Sequence, residues 1–280
     1  MSAKGGGMVF SWFLYFLFFA TMHDSSCLSM ERLEVPALAK LFHPVKIACR
    51  YRLGSLRLES VKWYKDEDEF FRFTPSERPK TRMFNISGIE VDMEKSDMHV
   101  VSLVNVSISS AGVYRCEVSS DSPAFETVQE SKIMDVFYQP DKKPQVFIEK
   151  TEIQPNEDIV AQCVTGKSFP VQNIFWFLNG IQINKKCIKK DYVITDDNGL
   201  LTKYSCLRVR ARGGPGPILV SCVGSQGKTF FPERSHVELT LSKYSEDDPI
   251  AQRGSADCIT QDFKRCIRLA FLYVVIPFIQ

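Results

Sequence analysis

The amino-acid sequence predicts an all-β protein with two similar halves. Short runs rich in β-branched and aromatic residues recur between turn residues, for example at Pro44–Cys49, Ser60–Lys65 and Val113–Val118. Strands of this length, separated by roughly 8–12 residues, are typical of sandwiches and barrels. No long segment before residue 250 has the apolar periodicity of a helix. The chain of 280 residues is long enough for two domains of ordinary size.

Both halves contain a cysteine, a tryptophan and a second cysteine at similar spacings. The positions are Cys49, Trp63 and Cys116 in the first half, and Cys163, Trp176 and Cys222 in the second. In an immunoglobulin domain such a disulfide joins the two sheets, and the indole packs against it. We therefore predict two tandem immunoglobulin-like β-sandwiches, with domain 1 over residues 33–138 and domain 2 over residues 145–243.

The two predicted domains differ near the second cysteine. Tyr114 lies two residues before Cys116, where a tyrosine corner hydrogen-bonds to the backbone, whereas Val220 takes this place before Cys222. The paired cysteines are 67 residues apart in the first half and 59 in the second. The longer separation leaves room for extra strands, so we predict that domain 1 is variable-like and domain 2 is constant-like.

The chain begins with the features of a secretory signal peptide. Lys4 precedes an apolar run, Met8–Ala20, which at about 1.5 Å per helical residue spans only about 20 Å. That length is too short for a bilayer core of roughly 30 Å. We predict a signal peptide over residues 1–27.

Two segments outside the domains have the composition of linkers. Pro140 and Pro144 flank a charged trio, which favours an extended, semi-rigid linker over residues 139–144. Residues 244–256 are mostly polar and predict a flexible stalk. Both segments are expected to space the domains from each other and from a membrane.

The C-terminal tail, residues 257–280, contains a second apolar run, Leu269–Ile279. Upstream of it lie three small residues, Gly254, Ser255 and Ala256, and then a polar spacer. A small-residue site, a spacer and a hydrophobic end form the order of a glycosylphosphatidylinositol (GPI) signal. We predict a lipid anchor at Gly254, with simple secretion and a truncated transmembrane helix as the alternatives.

The nine cysteines indicate an oxidising compartment. Cys27 and the tail cysteines, Cys258 and Cys266, would leave with the processed ends. Six cysteines then remain, and an even number in a secreted chain implies a disulfide framework. Once the two sandwich pairs are assigned, Cys187 and Cys206 are predicted to bond to each other.

Four runs in the first half carry a family resemblance. They are Val61–Phe73, Gly88–Asp92, Tyr114–Ser119 and Ser122–Thr127. These runs resemble the beaten path family of arthropod neuronal proteins, which have two immunoglobulin domains and are secreted or membrane-anchored. The resemblance covers residues 33–140 well and the second half loosely. It implies a role in axon guidance and synaptic partner choice, through binding to immunoglobulin-superfamily receptors of the sidestep family.

Strand alternation predicts a partner-binding face on domain 1. The disulfide and its tryptophan point inward, so their neighbours along each strand point outward and share one sheet surface. Tyrosine, arginine and other large side chains are common in binding hot spots. The predicted binding residues are Lys62, Tyr64, Phe70, Phe71, Phe73, Arg115, Glu117 and Phe125. Alternation places at least one of the three clustered phenylalanines inside, and packing of all three in the core is the alternative.

Two other surface features follow from short motifs. Asn85 and Asn105 each begin an N-x-S sequon, which predicts glycosylation at exposed positions. Four lysines flank Cys187, at positions 185, 186, 189 and 190. They indicate either binding to an anionic glycosaminoglycan or a solvated strand edge that lysine protects from pairing.

Composition and motifs exclude several classes of function. A net charge of +2 gives no general attraction to nucleic acid. Four histidines and the lack of any C-x-x-C pair argue against a metal site, and no nucleotide, hydrolase or protease motif indicates an enzyme or a cofactor. We predict a secreted or cell-surface recognition protein, with a secreted immune or pattern-recognition module and a matrix-associated protein as the alternatives.

Overall fold

The computed structural model describes residues 27–154, 157–211, 216–227, 233–241 and 256–258. The chain divides into two compact units, Met1–Val136 and Phe137–Gln280. The predicted anchor residue Gly254, nearly all of the signal peptide and stalk, and most of the tail lie outside the described residues. None of the helices in the described part of the chain has the length and apolar character needed to cross a bilayer.

The first unit contains nine strands in its described residues. They are β1 (Ser29–Glu34), β2 (Leu38–Lys40), β3 (Val45–Arg52), β4 (Leu58–Lys65), β5 (Asp68–Phe73), β6 (Thr81–Met83), β7 (Val100–Leu103), β8 (Gly112–Ser120) and β9 (Thr127–Phe137). One sheet has the order β1-β3-β7, and the other has the order β2-β9-β8-β4-β5-β6. Short 3-10 turns lie at Met93–Lys95 and Ile108–Ser110.

The core of the first unit lies around the predicted disulfide. Cys49 and Cys116 are bonded, and Trp63 is fully buried near them. Tyr114 forms the predicted tyrosine corner, since its hydroxyl donates a 2.7 Å hydrogen bond to the backbone oxygen of Ser110. Burial raises the pKa of Tyr114 well above its ordinary value.

The second unit contains ten strands in its described residues. They are β10 (Gln145–Ile148), β11 (Glu152–Ile153), β12 (Asp158–Val164), β13 (Asn173–Leu178), β14 (Ile181–Gln182), β15 (Ile188–Thr195), β16 (Leu201–Ala211), β17 (Gly216–Ser225), β18 (Glu233–Leu241) and β19 (Ala256–Cys258). One sheet has the order β10-β12-β16-β15, with β19 also paired to β16, and the other has the order β11-β18-β17-β13-β14. A 3-10 turn lies at Lys185–Cys187.

The second core repeats the disulfide and the tryptophan but not the tyrosine corner. Cys163 bonds to Cys222, and the buried Trp176 donates a 3.0 Å hydrogen bond from Nε1 to Ser205 Oγ. Val220 is fully buried at the corner position. The prediction of an all-β fold with two tandem immunoglobulin-like β-sandwiches is therefore confirmed, as are the Cys49–Cys116 and Cys163–Cys222 bonds.

The third predicted disulfide involves Cys187 and Cys206 in the second unit. Cys187 and Cys206 are both disulfide-bonded, but they belong to separate buried clusters. Cys187 lies in the core between the sheets, whereas Cys206 packs with Val160 on the other side of its sheet. On β16 the neighbouring Leu207 points into the core, so alternation turns Cys206 away from it. The bond between these two cysteines therefore stays a prediction, and the structure shows only that each of them is bonded.

Tyr138, directly before the predicted linker, and Asp141 within it are hydrogen-bonded to other residues of the second unit. Tyr138 exchanges two backbone hydrogen bonds with Phe169, at 2.7 and 3.1 Å. The side chain of Gln226 donates to both of their backbone oxygens. The Asp141 carboxylate accepts a 2.8 Å hydrogen bond from the backbone N–H of Lys167. Within the segment 139–144, Asp141 therefore contacts the folded second unit, and the role of the segment as a linker stays a prediction.

Candidate protein-binding face

The outward surface of the six-stranded sheet brings four predicted residues together. Lys62 on β4 lies opposite Glu117 on β8, and Tyr64 lies opposite Arg115. Each alternates along its strand with a buried residue such as Trp63, so all four point away from the core. Here the term outer face means this surface, with Lys62, Tyr64, Arg115 and Glu117 at its centre.

Arg115 is held in place by contacts on three sides. Its guanidinium carbon lies 4.2 Å from the centre of the Tyr64 ring, within the range of a cation–π interaction. Its terminal nitrogens donate 2.9 Å hydrogen bonds to Glu67 and to Gln129. The side chain is only 21% exposed. Arg115 therefore presents a flat, largely ordered surface together with Tyr64.

The other charges of the outer face are also paired. Lys62 Nζ lies 3.1 Å from Glu117 Oε1, and Arg72 on β5 makes two 2.7 Å hydrogen bonds with the Glu69 carboxylate. Burial and, secondarily, the Glu117 carboxylate raise the pKa of Tyr64, so its hydroxyl stays protonated at neutral pH. The outer face thus consists of paired, ordered charges around one neutral phenol. Such an arrangement suits specific recognition of a protein surface better than non-specific electrostatic attraction.

The three clustered phenylalanines do not belong to the outer face. The register shifts where Trp63 pairs with Phe71 and Tyr64 pairs with Glu69, leaving Phe70 unpaired in a β-bulge. Phe70 and Phe71 are consequently both fully buried. Phe73 pairs with the buried Val61, so it lies on the core side of the sheet and is half-buried. The assignment of Phe70, Phe71 and Phe73 to the binding surface is therefore wrong, because the bulge breaks strict alternation.

Phe125 lies in the loop between β8 and β9 and is 69% exposed. Its φ of 49° is in the left-handed region, which is uncommon for an aromatic residue. The flanking backbone is ordered, since the Glu126 N–H donates a 2.8 Å hydrogen bond to Ser120 Oγ. The Glu126 carboxylate in turn accepts a 2.9 Å bond from the backbone of Leu28. The loop thus presents an exposed aromatic ring at one end of the sheet.

Sequence reasoning missed an apolar pair on the same sheet. Val113 on β8 lies opposite Ile133 on β9, and the two side chains are 41% and 64% exposed. Because Val113 precedes the buried Tyr114, alternation along β8 would have placed Val113 outside. The residues next to Ile133 on β9 include no such marker of which side faces the core. Glu69 and Gln129 were also missed, because their positions depend on the register of β5 and β9.

Both glycosylation sequons lie in exposed backbone of the first unit. Asn85 follows β6, and its side chain is exposed. Asn105 is exposed beside the fully buried Val106, as the alternation predicts. The described residues contain no group of three or more histidine, cysteine or acidic side chains that could hold a metal ion.

Comparison with known proteins shows similarity to adhesion molecules. No protein-family model matches the chain. Human and mouse Cell adhesion molecule 1 are each 26% identical to it over 151 residues, which cover 54% of this chain and 30% of each relative. The chain therefore spans less than a third of the length of these curated relatives.

Two solved structures align with most of the chain. Rst D1-D2 is 14% identical, with a TM-score of 0.49, over 77% of this chain and 99% of that one. Murine CEACAM1b is 15% identical, with a TM-score of 0.45, over 77% of this chain and 100% of that one.

Proposed function

We propose that the protein is a cell-surface or secreted recognition protein that binds another immunoglobulin-superfamily surface protein through the outer face of its first unit. The observation that carries the proposal is the ordered stack of Arg115 on Tyr64, surrounded by paired charges. Arginine and tyrosine are enriched among binding hot spots. Because their rotamers are already restricted, these two side chains would lose little conformational entropy when a partner binds.

The location and the partner class have separate support. Two disulfides in the cores are typical of proteins exposed to an oxidising, extracellular environment. The similarity to Cell adhesion molecule 1 supports adhesion or recognition between surfaces. The resemblance of the first unit to the beaten path family extends the proposal to axon guidance or synaptic partner choice with a sidestep-like receptor. Attachment by a lipid at Gly254 remains part of the proposal.

The first test is to identify and map the partner. The mature full-length chain is screened against the extracellular immunoglobulin proteins of the same organism, and the affinity of the partner is then measured for Arg115→Ala and Tyr64→Ala. Each substitution is expected to weaken binding roughly 30-fold, or about 2 kcal/mol, if the stacked pair is a hot spot. Both variants should fold, because neither side chain lies in the core.

The matched control is Arg52→Ala. Arg52 lies in the other sheet of the same unit and also pairs with a carboxylate, that of Glu31 at 2.7 Å. Its removal takes away the same charge and a similar ion pair without touching the outer face. If Arg115→Ala and Tyr64→Ala bind the partner as tightly as the Arg52→Ala control, the binding site lies elsewhere and the proposal is refuted.

A further inference from the structure

A groove of about 490 Å³ opens on one side of the second unit. One wall is formed by β13, including Phe175, and the other by β15, including Ile188 and Asp191. These strands belong to different sheets, and β15 is the edge strand of its sheet. The groove is therefore a cleft along the side of the sandwich, with apolar side chains on both walls.

Among the described residues, three lysines and one carboxylate line this groove. Lys203 on β16 is only 17% exposed, and its Nζ lies 3.3 Å from Asp191 Oδ2. Lys190 lies beside the ring of Tyr192, with 5.3 Å from its Nζ to the ring centre. Lys185 is exposed and forms no ion pair within the part of the chain that the structure describes. The lining thus carries more positive than negative charge, and an anion in the groove would balance it.

We propose that this groove binds a sulfated glycosaminoglycan chain. An open cleft along strand edges can hold one stretch of a linear polymer, whereas a closed pocket could not. Sulfate groups carry permanent negative charge and match the compact, mobile ammonium groups of lysine. Phe175 and Ile188 offer apolar surface to the carbon-bound hydrogens of a sugar ring. The sequence indicated lysines 185 and 190, and the fold adds Lys203 to them.

An acidic peptide is the competing class of ligand. An extended peptide would bind such a cleft most strongly by adding a strand to the free edge of β15. Lysines along an edge strand oppose that mode of pairing, and Lys190 lies on this edge. A sulfated polysaccharide needs no backbone pairing, so the arrangement favours it over a peptide.

The test measures binding of the full-length protein to heparin. The double substitution Lys185→Gln with Lys203→Gln removes two charges from the groove, and Lys46→Gln with Lys80→Gln removes two exposed charges from the first unit as a matched control. We expect heparin affinity to fall roughly fivefold to tenfold for the groove variant and less than twofold for the control. Heparin stripped of sulfate should compete poorly, and binding to the outer-face partner should not change.

A second variant tests the same proposal by a gain of binding. Asp191→Asn removes the carboxylate that the described lining of the groove contains, so heparin affinity should rise about twofold to threefold. This result does not depend on the folding of the lysine variants. Equal heparin affinity of groove and control variants would overturn the proposal. So would polyglutamate competing as well as heparin, since that outcome would assign the groove to an acidic peptide.

Discussion

The cores of the two units share a disulfide and a buried tryptophan but differ in their polar contacts. In the first unit the Tyr114 hydroxyl bonds to Ser110, and Trp63 Nε1 has no hydrogen-bond partner among the described residues. In the second unit Val220 replaces the tyrosine, and Trp176 Nε1 bonds to Ser205.

This difference shows which parts of the core are exchangeable. Tyr114 joins β8 to the 3-10 turn that precedes it, so its hydrogen bond is local. Trp176 and Ser205 lie in different sheets, so their hydrogen bond crosses the sandwich beside the disulfide. Both units need the covalent bond and the indole, whereas a single buried polar contact can be placed in either position.

Removing the sandwich disulfide should have the largest effect, and the effect should differ between the units. For the first unit, Cys49→Ala with Cys116→Ala is expected to lower the free energy of unfolding by about 4 kcal/mol. In the second unit the pair Cys163→Ala and Cys222→Ala should cost less, because its other disulfide-bonded cysteines still restrict the unfolded chain. Hydrogen exchange of β3 and β12 amides measures each unit separately. An equal loss in both units would contradict the comparison.

Alkaline pH should destabilise the first unit more than the second. Burial raises the pKa of Tyr51 to about 12 and that of Tyr114 further, whereas an unfolded tyrosine titrates near 10. Their contribution is fully present below pH ~10. It is lost as pH rises toward the folded-state values, at about 1.4 kcal/mol per pH unit for each tyrosine.

Denaturant unfolding between pH 9 and pH 12 checks this expectation. In Tyr114→Phe, the stability of the first unit should fall less steeply as pH rises. Its stability at pH 7 should be lower by about 1 kcal/mol, because one buried hydrogen bond is lost. Tyr192→Phe is the control in the second unit, where the tyrosine is only partly buried. If the free energy of unfolding of Tyr114→Phe falls with pH as steeply as that of the wild type, ionisation of Tyr114 does not contribute to the alkaline loss of stability.

Ser205→Ala should have the smallest of these effects. The substitution leaves the indole N–H of Trp176 unpaired, as it already is in Trp63, and should cost about 1 kcal/mol. A double-mutant cycle with Trp176→Phe isolates the hydrogen bond from the change in packing. A coupling energy near zero would mean that the cross-sheet bond does not stabilise the second unit.

The fold and the centre of the outer face can be predicted from residue spacing and strand alternation along the sequence. The spacing of cysteine and tryptophan predicts the sandwich, because the disulfide and the indole must meet between the sheets. Alternation around Trp63 and Cys116 then places Lys62, Tyr64 and Arg115 outside. Once one inward-pointing side chain is known on a strand, alternation gives the direction of its neighbours.

The bulge could not be predicted in the same way. Asp66 and Glu67 form the turn between β4 and β5 with φ values of 49° and 76°, although neither is glycine. The Asp66 carboxylate accepts a hydrogen bond from the Val113 backbone, a residue far along the chain. A long-range contact therefore accompanies the register that buries Phe70, and no local pattern shows it.

The positions of Cys206, Lys203 and the linker also depend on tertiary structure. Cys206 faces away from the core because of the register between β12 and β16, which pairs it with Gln162. Lys203 joins lysines 185 and 190 only because β16 passes behind the groove. Proline content predicts an extended linker, but it does not show that Asp141 accepts a hydrogen bond from Lys167 or that the preceding Tyr138 pairs with Phe169.

The pairing of charges on the outer face has a kinetic consequence. Its cations Lys62, Arg72 and Arg115 are balanced by the carboxylates of Glu117, Glu69 and Glu67, with which they form ion pairs. These balanced charges leave little long-range field around the surface. Encounters with a partner would then proceed without electrostatic steering, at the ordinary rates of about 10⁵–10⁶ M⁻¹s⁻¹ and with little dependence on salt. Discrimination between similar partners would come after contact, through how long each complex survives.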